Sequence, residues 1–232
     1  MRKVVGDQAD GLRRLMSSSP GRLVALVGCE PAVCIADVAS NLRAALVLQG
    51  REVHLLDEHQ EVNQARCRSH EHLTLINAVL NGDGALSAAA AKADDVLVVL
   101  QANAASIMQA YACIKRLHYA HALQRVRVMV NQTADAVAAK RVLANLADTG
   151  SRYLAVALEP AGWVRADPLV LQAQRLNLTV VEAFQSSPAA SDFRQLAADL
   201  LHWPHKPSAG RSLPLQPGIA TRQEAHPVAG MH

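Results

Sequence analysis

Apolar and polar positions follow two rhythms along this chain. Leu23–Val27 is an unbroken aliphatic run that ends at Gly28. A short run, apolar at every position, predicts a strand buried on both faces. Apolar residues then recur at Ile35, Val38, Ala39, Leu42, Ala45 and Leu46. That spacing predicts a helix over 35–49, with Gly50 as its left-handed closing residue. A second strand, Val53–Leu56, stops at Asp57. Strand, helix and strand make a βαβ unit with a right-handed crossover.

Residues 58–72 are polar and read as a loop. Leu73–Leu80 predicts a helix that stops at Asn81-Gly82-Asp83-Gly84, and Ala85–Ala93 predicts a short Ala-rich one. Val96–Leu100 is the third buried strand. Over Ser106–Tyr119, Ile107, Ala110, Tyr111, Ile114 and Leu117 share one helical face. Val126–Val130 is the fourth strand, ending at Asn131-Gln132, and Ala134–Ala147 is a helix closed by Gly150. Tyr153–Leu158 is the fifth strand, Asp167–Arg175 is helical, Thr179–Val181 is extended, and Ala189–Leu201 is the last helix. The alternation predicts one doubly wound, mostly parallel sheet with helices on both faces, spanning residues 21–203. Residues 1–20 form an arm before it. From Pro204 the chain turns rich in Pro, Gly and Ser without periodicity, so 204–232 reads as a disordered tail.

Composition narrows the functional classes. Half of the 232 residues are hydrophobic but only 3% are aromatic, so aliphatic packing must build the core. No apolar run reaches the ~18 residues that a membrane span needs. The basic N-terminus lacks the apolar stretch of a secretory signal, so the expected location is the cytoplasm. The net charge of +3 is spread over scattered Arg and Lys, without the basic stripe of a nucleic-acid binder. His59, Cys67, His70 and His72 share one loop, but their spacing lacks the tight pairs of zinc sites, and a polar surface loop is the preferred reading. Cys29 and Cys34 lie close enough in sequence for a redox pair, against the simpler reading of drift to small apolar residues. The closing helix carries Phe193, Leu196, Ala197, Leu200, Leu201 and Trp203, with a basic face too thin for membrane binding, so it is expected to pack on the core.

In a doubly wound sheet, ligands sit beyond the carboxyl ends of the strands. A phosphate cradle there needs glycines for backbone approach, a Lys for charge and a Ser or Thr for Mg²⁺. The first loop reads Gly28-Cys29-Glu30-Pro31-Ala32-Val33-Cys34-Ile35-Ala36, followed by Asp37-Val38-Ala39-Ser40-Asn41-Leu42-Arg43-Ala44-Ala45-Leu46. The helical part resembles the N-x-x-x-N-L-A-x-A-L stretch that follows the deviant Walker A loop, K-G-G-V-G-K-T, of MinD/ParA ATPases. The resemblance implies a shortened fold of that P-loop NTPase (SIMIBI) type. In this register the signature Lys falls on Glu30, the phosphate-binding Lys on Ile35 and the Mg²⁺-binding Thr on Ala36. The glycines fall on Pro31, Ala32 and Cys34, and only Val33 and the flanking Gly28 survive. A carboxylate ~4 Å from a phosphate charge costs about 4 kcal/mol at an effective dielectric of ~20. Pro31 removes a backbone donor. The family ends its second strand with L-L-D-x-D; here Leu55-Leu56-Asp57-Glu58-His59 keeps the first Asp and replaces the second by His59. About 37 residues separate Asp57 from Asp94, and they show no D-x-G switch strand. Asn131 stands where the family reads adenine; it also suits a strand closing into a turn. Asp57 and Asn131 are thus candidates for a residual nucleotide site. ATP and Mg²⁺ are not expected as cofactors.

The arm points to a subfamily. Asp7-Gln8-Ala9-Asp10-Gly11-Leu12-Arg13-Arg14-Leu15 resembles the D-Q-A-x-x-L-R motif of the flagellar-number regulators FlhG and FleN. Ala93-Asp94-Asp95-Val96, Ala110-Tyr111-Ala112-Cys113-Ile114-Lys115, Val164-Arg165-Ala166-Asp167-Pro168 and Ser187–Ala197 continue the likeness. It implies that Asp7, Gln8, Ala9, Leu12 and Arg13 dock on an SRP-type flagellar GTPase, FlhF-like, with Gln8 helping to complete the GTPase site. An arm packing on its own domain is the alternative. The reading is a pseudo-ATPase regulator of flagellar number and placement. Its other expected partners are a flagellar transcription activator, switch-complex proteins or a second copy, and it could be recruited to the cell pole or inner membrane face. Two alternatives stay open: a weak ATP-binding and ATP-hydrolysing MinD-like protein, and an adaptor in cellulose synthesis or partition.

Overall fold

Six parallel strands form one sheet in the order β2-β3-β1-β4-β5-β6. The computed structural model describes residues 21–30, 34–59 and 72–204. The strands are β1 (Leu23–Gly28), β2 (Val53–Asp57), β3 (Leu73–Ala78), β4 (Asp95–Gln101), β5 (Arg125–Thr133) and β6 (Ala157–Arg165). The helices are α1 (Ile35–Leu48), α2 (Ala104–His121), α3 (Ala136–Leu154), α4 (Pro168–Arg175), α5 (Val180–Ala183) and α6 (Pro188–His202). The arm, the residues proposed for it, and the tail lie outside the described residues.

Residues on alternate faces of the central strands feed two aliphatic cores. Val24 and Leu26 of β1 face α1 and α6, together with Leu42, Leu46, Phe193, Leu196 and Leu200. Ala25 and Val27 face α2 and α3, together with Cys113, Ile114, Leu117, Leu143 and Leu146. The apolar face of α6 is therefore buried in the core. No helix among the described residues is long and apolar enough to cross a membrane.

Several expectations need correction. Leu73–Ala78 is a strand, not a helix: it lies between β2 and β1, with Leu75 paired to Leu55 on one side and Val24 on the other. A strand buried on both faces shows no alternation, so its apolar run mimics a helix. Ala85–Ala93 folds only as a 3₁₀ turn at Ala90–Lys92. Gly150 does not close α3, which continues through Tyr153 to Leu154 and ends on Ala155 at φ 51°. The last strand accordingly starts at Ala157. Thr179–Val181 is not extended: Thr179 caps α5 in a reciprocal pair with Glu182. Gly50 does take the expected left-handed conformation, at φ 76°.

At the amino ends of β1, β4 and β5 lies a charge cluster that periodicity could not reveal. Asp95, buried in the sheet, accepts from Arg22 Nε at 3.0 Å and Arg22 Nη2 at 2.5 Å. It also accepts from Arg127 Nε at 3.0 Å. Arg22 Nη1 donates to the carbonyls of Leu200 and Trp203, and the Trp203 ring lies 4.1 Å from the Arg127 guanidinium. The cluster thus fastens the end of α6 to the sheet.

Candidate functional site

The opposite end of the sheet carries the candidate site. β1 ends at Gly28 and the chain turns through Cys29 and Glu30 toward α1. Residues 31–33, including Val33, fall outside the described set. Cys34 occupies the N-cap position of α1 with no side-chain cap bond. Ile35 opens the helix and packs into the core with Val38, Ala39 and Leu42, at 8% exposure. Ala36 is exposed. At the position that the resemblance gives to the phosphate-binding Lys, the side chain is therefore a core residue.

Two cavities flank the N-terminus of α1. One, of about 340 Å³, lies over the ends of β5 and β6 and is lined by Asn131, Gln132, Arg165, Asp167 and Gln174, among others. Asn131 is buried, and Gln132 beside it adopts φ 54°, a left-handed conformation that costs a non-glycine residue roughly 1–2 kcal/mol. Asp167 caps α4 through Leu169 N at 2.9 Å and also accepts from Ala189 N at 3.2 Å. Arg165 makes a two-pronged pair with Asp192, at 2.8 and 2.7 Å. Asn41 fixes the rear of α1, donating to Asp37 O and accepting from Val180 N at 2.9 Å.

The second cavity, of about 540 Å³, lies over the ends of β1, β2 and β3 and is lined by Gly28, Glu30, Ile35, Asp57, His59 and Asn77, among others. Asp57 accepts from Asn77 Nδ2 at 2.8 Å and from His59 N at 3.1 Å. Glu58 accepts from Val79 N and from Ser87 Oγ, which braces the chain after β3. Asp57 and Asn131, grouped as a residual nucleotide site, line different cavities; Cys34 borders both.

The sequence reading also missed a strand here. β3 lies between β2 and β1 and precedes β4 in the chain, where the sequence reading placed a helix. A D-x-G triplet is absent there: β3 ends at Asn77-Ala78, and Val79 follows it. The signal that could have found it was length: Leu73-Thr74-Leu75-Ile76 is a strand-sized apolar run between polar residues.

Cys29 and Cys34, weighed as a redox pair, are both free thiols, each engaged elsewhere. The Cys29 and Cys113 thiols hydrogen-bond to each other, joining the first loop to α2. That bond and burial hold the Cys29 thiol far above its ordinary range. The same bond, helped by the Arg116 guanidinium, lowers Cys113. Cys34 engages Asp37 instead; burial first, then that contact, raises its thiol. His72 pairs with Glu52 at 2.9 Å, whereas Cys67 and His70 lie outside the described residues. Among the described residues, no three His, Cys, Asp or Glu side chains are grouped as a metal ion would require.

No protein-family model matches the chain. Among solved structures it is similar to the MinD cell division protein of Aquifex aeolicus, with TM-score 0.60 and 16% identity over 80% of this chain and 99% of that one. MinD in the MinC:MinD complex of the same organism gives TM-score 0.60 at 14% identity, covering 80% and 97%. MinD from Pyrococcus horikoshii, solved with Mg-ADP, gives 0.57 at 13%, covering 78% and 96%. The fold is thus that of the MinD-type P-loop proteins. Among curated proteins the chain is similar to the antiactivator FleN of Pseudomonas aeruginosa, 34% identical over 123 residues. The match covers 53% of this chain and 44% of FleN, so the chain spans less than half the length of that relative.

Proposed function

We propose that this protein regulates flagellar number and placement through protein contacts, without hydrolysing ATP. The observation that carries the non-hydrolytic part is Ile35, a buried core side chain where a phosphate-binding Lys is required. Glu30 beside it adds a negative charge where phosphate would lie. The similarity to FleN supports the flagellar assignment. An antiactivator acts on an activator, so one partner is a flagellar transcription activator. Asp7, Gln8, Ala9, Leu12 and Arg13 form the arm that engages an SRP-type flagellar GTPase. Further contacts with switch-complex proteins or a second copy would place the protein at the pole or the inner membrane face.

Calorimetric titration with Mg·ATP, with and without the GTPase, tests this reading. The expected result is no ATP heat in either setting, with GTPase stimulation that Gln8→Ala plus Leu12→Ala abolishes. ATP turnover, or stimulation unchanged by those substitutions, would overturn it. A second reading, an ATP-binding MinD-like protein, draws support from the cavity beside Asn131. ATP-dependent dimerisation in the same experiment would carry it.

A further inference from the structure

The cavity over β1, β2 and β3 has the wrong polarity for an anion and the right one for a cation. Glu30 Oε1 and Asn77 Oδ1 are both buried without a hydrogen-bond partner. Asn77 is only 2% exposed, and both residues line the cavity. The Asp57 carboxylate forms a further wall, held from behind by Asn77 Nδ2. Among the described residues no Lys or Arg lines this space. A buried acceptor left unsatisfied costs about 1–3 kcal/mol, so two of them on residues that line one cavity create a demand for donors there.

We propose that this cavity receives a primary ammonium group, hydrogen-bonded to Glu30 and Asn77 and faced by Asp57. The inference rests on the reading that nucleotide phosphate no longer occupies the site. An ammonium carries three N–H donors and no acceptor, which matches a wall made of acceptors. Hydrogen bonds from a cation to a carboxylate are roughly twice as strong as neutral ones. A metal ion fits less well, because among the described residues no three metal-ligating side chains converge as a group. At about 540 Å³ the cavity also admits the alkyl stem behind the charged head. The same chemistry could come from a free polyamine or from the lysine side chain of a bound protein.

The test titrates the full chain calorimetrically with spermidine, with Nα-acetyl-lysine methylamide, and with Mg·ATP in parallel. Saturable binding of either amine is expected, weakened by roughly tenfold or more in Glu30→Gln and abolished in Glu30→Lys, whose own ammonium would fill the site. Preference for spermidine marks a polyamine site; preference for the lysine mimic marks a partner's side chain. Circular dichroism of both variants checks the fold. No saturable amine heat, or equal binding by wild type and a folded Glu30→Gln, overturns the ammonium site. ATP binding instead overturns the nucleotide-free reading on which it stands, so the two failures are distinguishable.

Discussion

Replacing Asp95 by Asn keeps the shape of the side chain and removes its charge. In the native protein this carboxylate is 1% exposed and sits between Arg22 and Arg127, whose side chains are 6% and 5% exposed. Arg125 adds a longer contact at 3.5 Å. The substitution leaves two buried guanidinium groups facing each other across a neutral amide. Removing one partner of such a cluster costs about 3–5 kcal/mol, because the remaining charge stays buried and unpaired. The carbonyls of Leu200 and Trp203 still receive Arg22, and Trp203 still lies against Arg127, which puts the expected loss at the lower end, about 3 kcal/mol. In a domain of this size each kcal/mol moves Tm by roughly 2–4 °C, so Tm falls by about 6–12 °C. The control is Glu159→Gln. Glu159 pairs with Arg127 at 2.9 Å but is 38% exposed, and solvent-screened pairs contribute about 0–1 kcal/mol. Urea unfolding followed by circular dichroism reads both. An Asp95→Asn loss below about 1 kcal/mol, or one equal to that of Glu159→Gln, would refute the claim that the buried cluster holds α6 on the sheet.

Two further outcomes follow from packing and titration. In Gly150→Ala the new Cβ would lie 2.5 Å from Leu158 Cδ1 and 2.8 Å from Leu158 Cγ; Leu158 is itself buried in the second core, so the helix or strand must shift at a cost of about 1–3 kcal/mol, read as a lowered urea midpoint. Because burial and Asp37 raise the Cys34 thiol, its thiolate fraction stays low through neutral pH, and iodoacetamide labelling of this exposed residue should keep accelerating above the ~8.5 midpoint of a free thiol; peptide mass spectrometry that found labelling levelling off below that pH would contradict the assignment.

The elements that were legible in the sequence are those whose physics is local. Leu23–Val27 and Val96–Leu100 could only be buried strands, and α1 declared itself through a regular face closed by Gly50. β3 was not legible because Leu73–Leu80 offers apolar residues in nearly every position. Its identity is decided by backbone pairing with β2 and β1, and the strand-sized length of Leu73–Ile76 is the one local hint of it. Thr179-Val180-Val181 has strand-like composition, yet the Thr179–Glu182 cap and the Asn41 acceptor for Val180 N hold a helical turn there. Asp95, just before the strand read at Val96–Leu100, and Arg127, within the strand read at Val126–Val130, show no local sign of pairing until the sheet brings them together 32 positions apart in sequence. The candidate site divides along the same line. That Glu30, Ile35 and Ala36 differ in type from the residues a phosphate cradle uses is legible in the sequence. Where Ile35 points is a tertiary fact, fixed by its packing in the core. A Lys restored at that position would have to abandon the packing against Val38, Ala39 and Leu42, and it would face Glu30 on the loop. On the proposed reading, the departure from a phosphate cradle involves the core as well as the loop. Meanwhile Asp57 and Asn77, at the ends of neighbouring strands, bind each other. Pairing of this kind ties the ends of β2 and β3 to each other, and a fixed sheet end is what the proposed action through surfaces asks for and an ATP-driven switch does not.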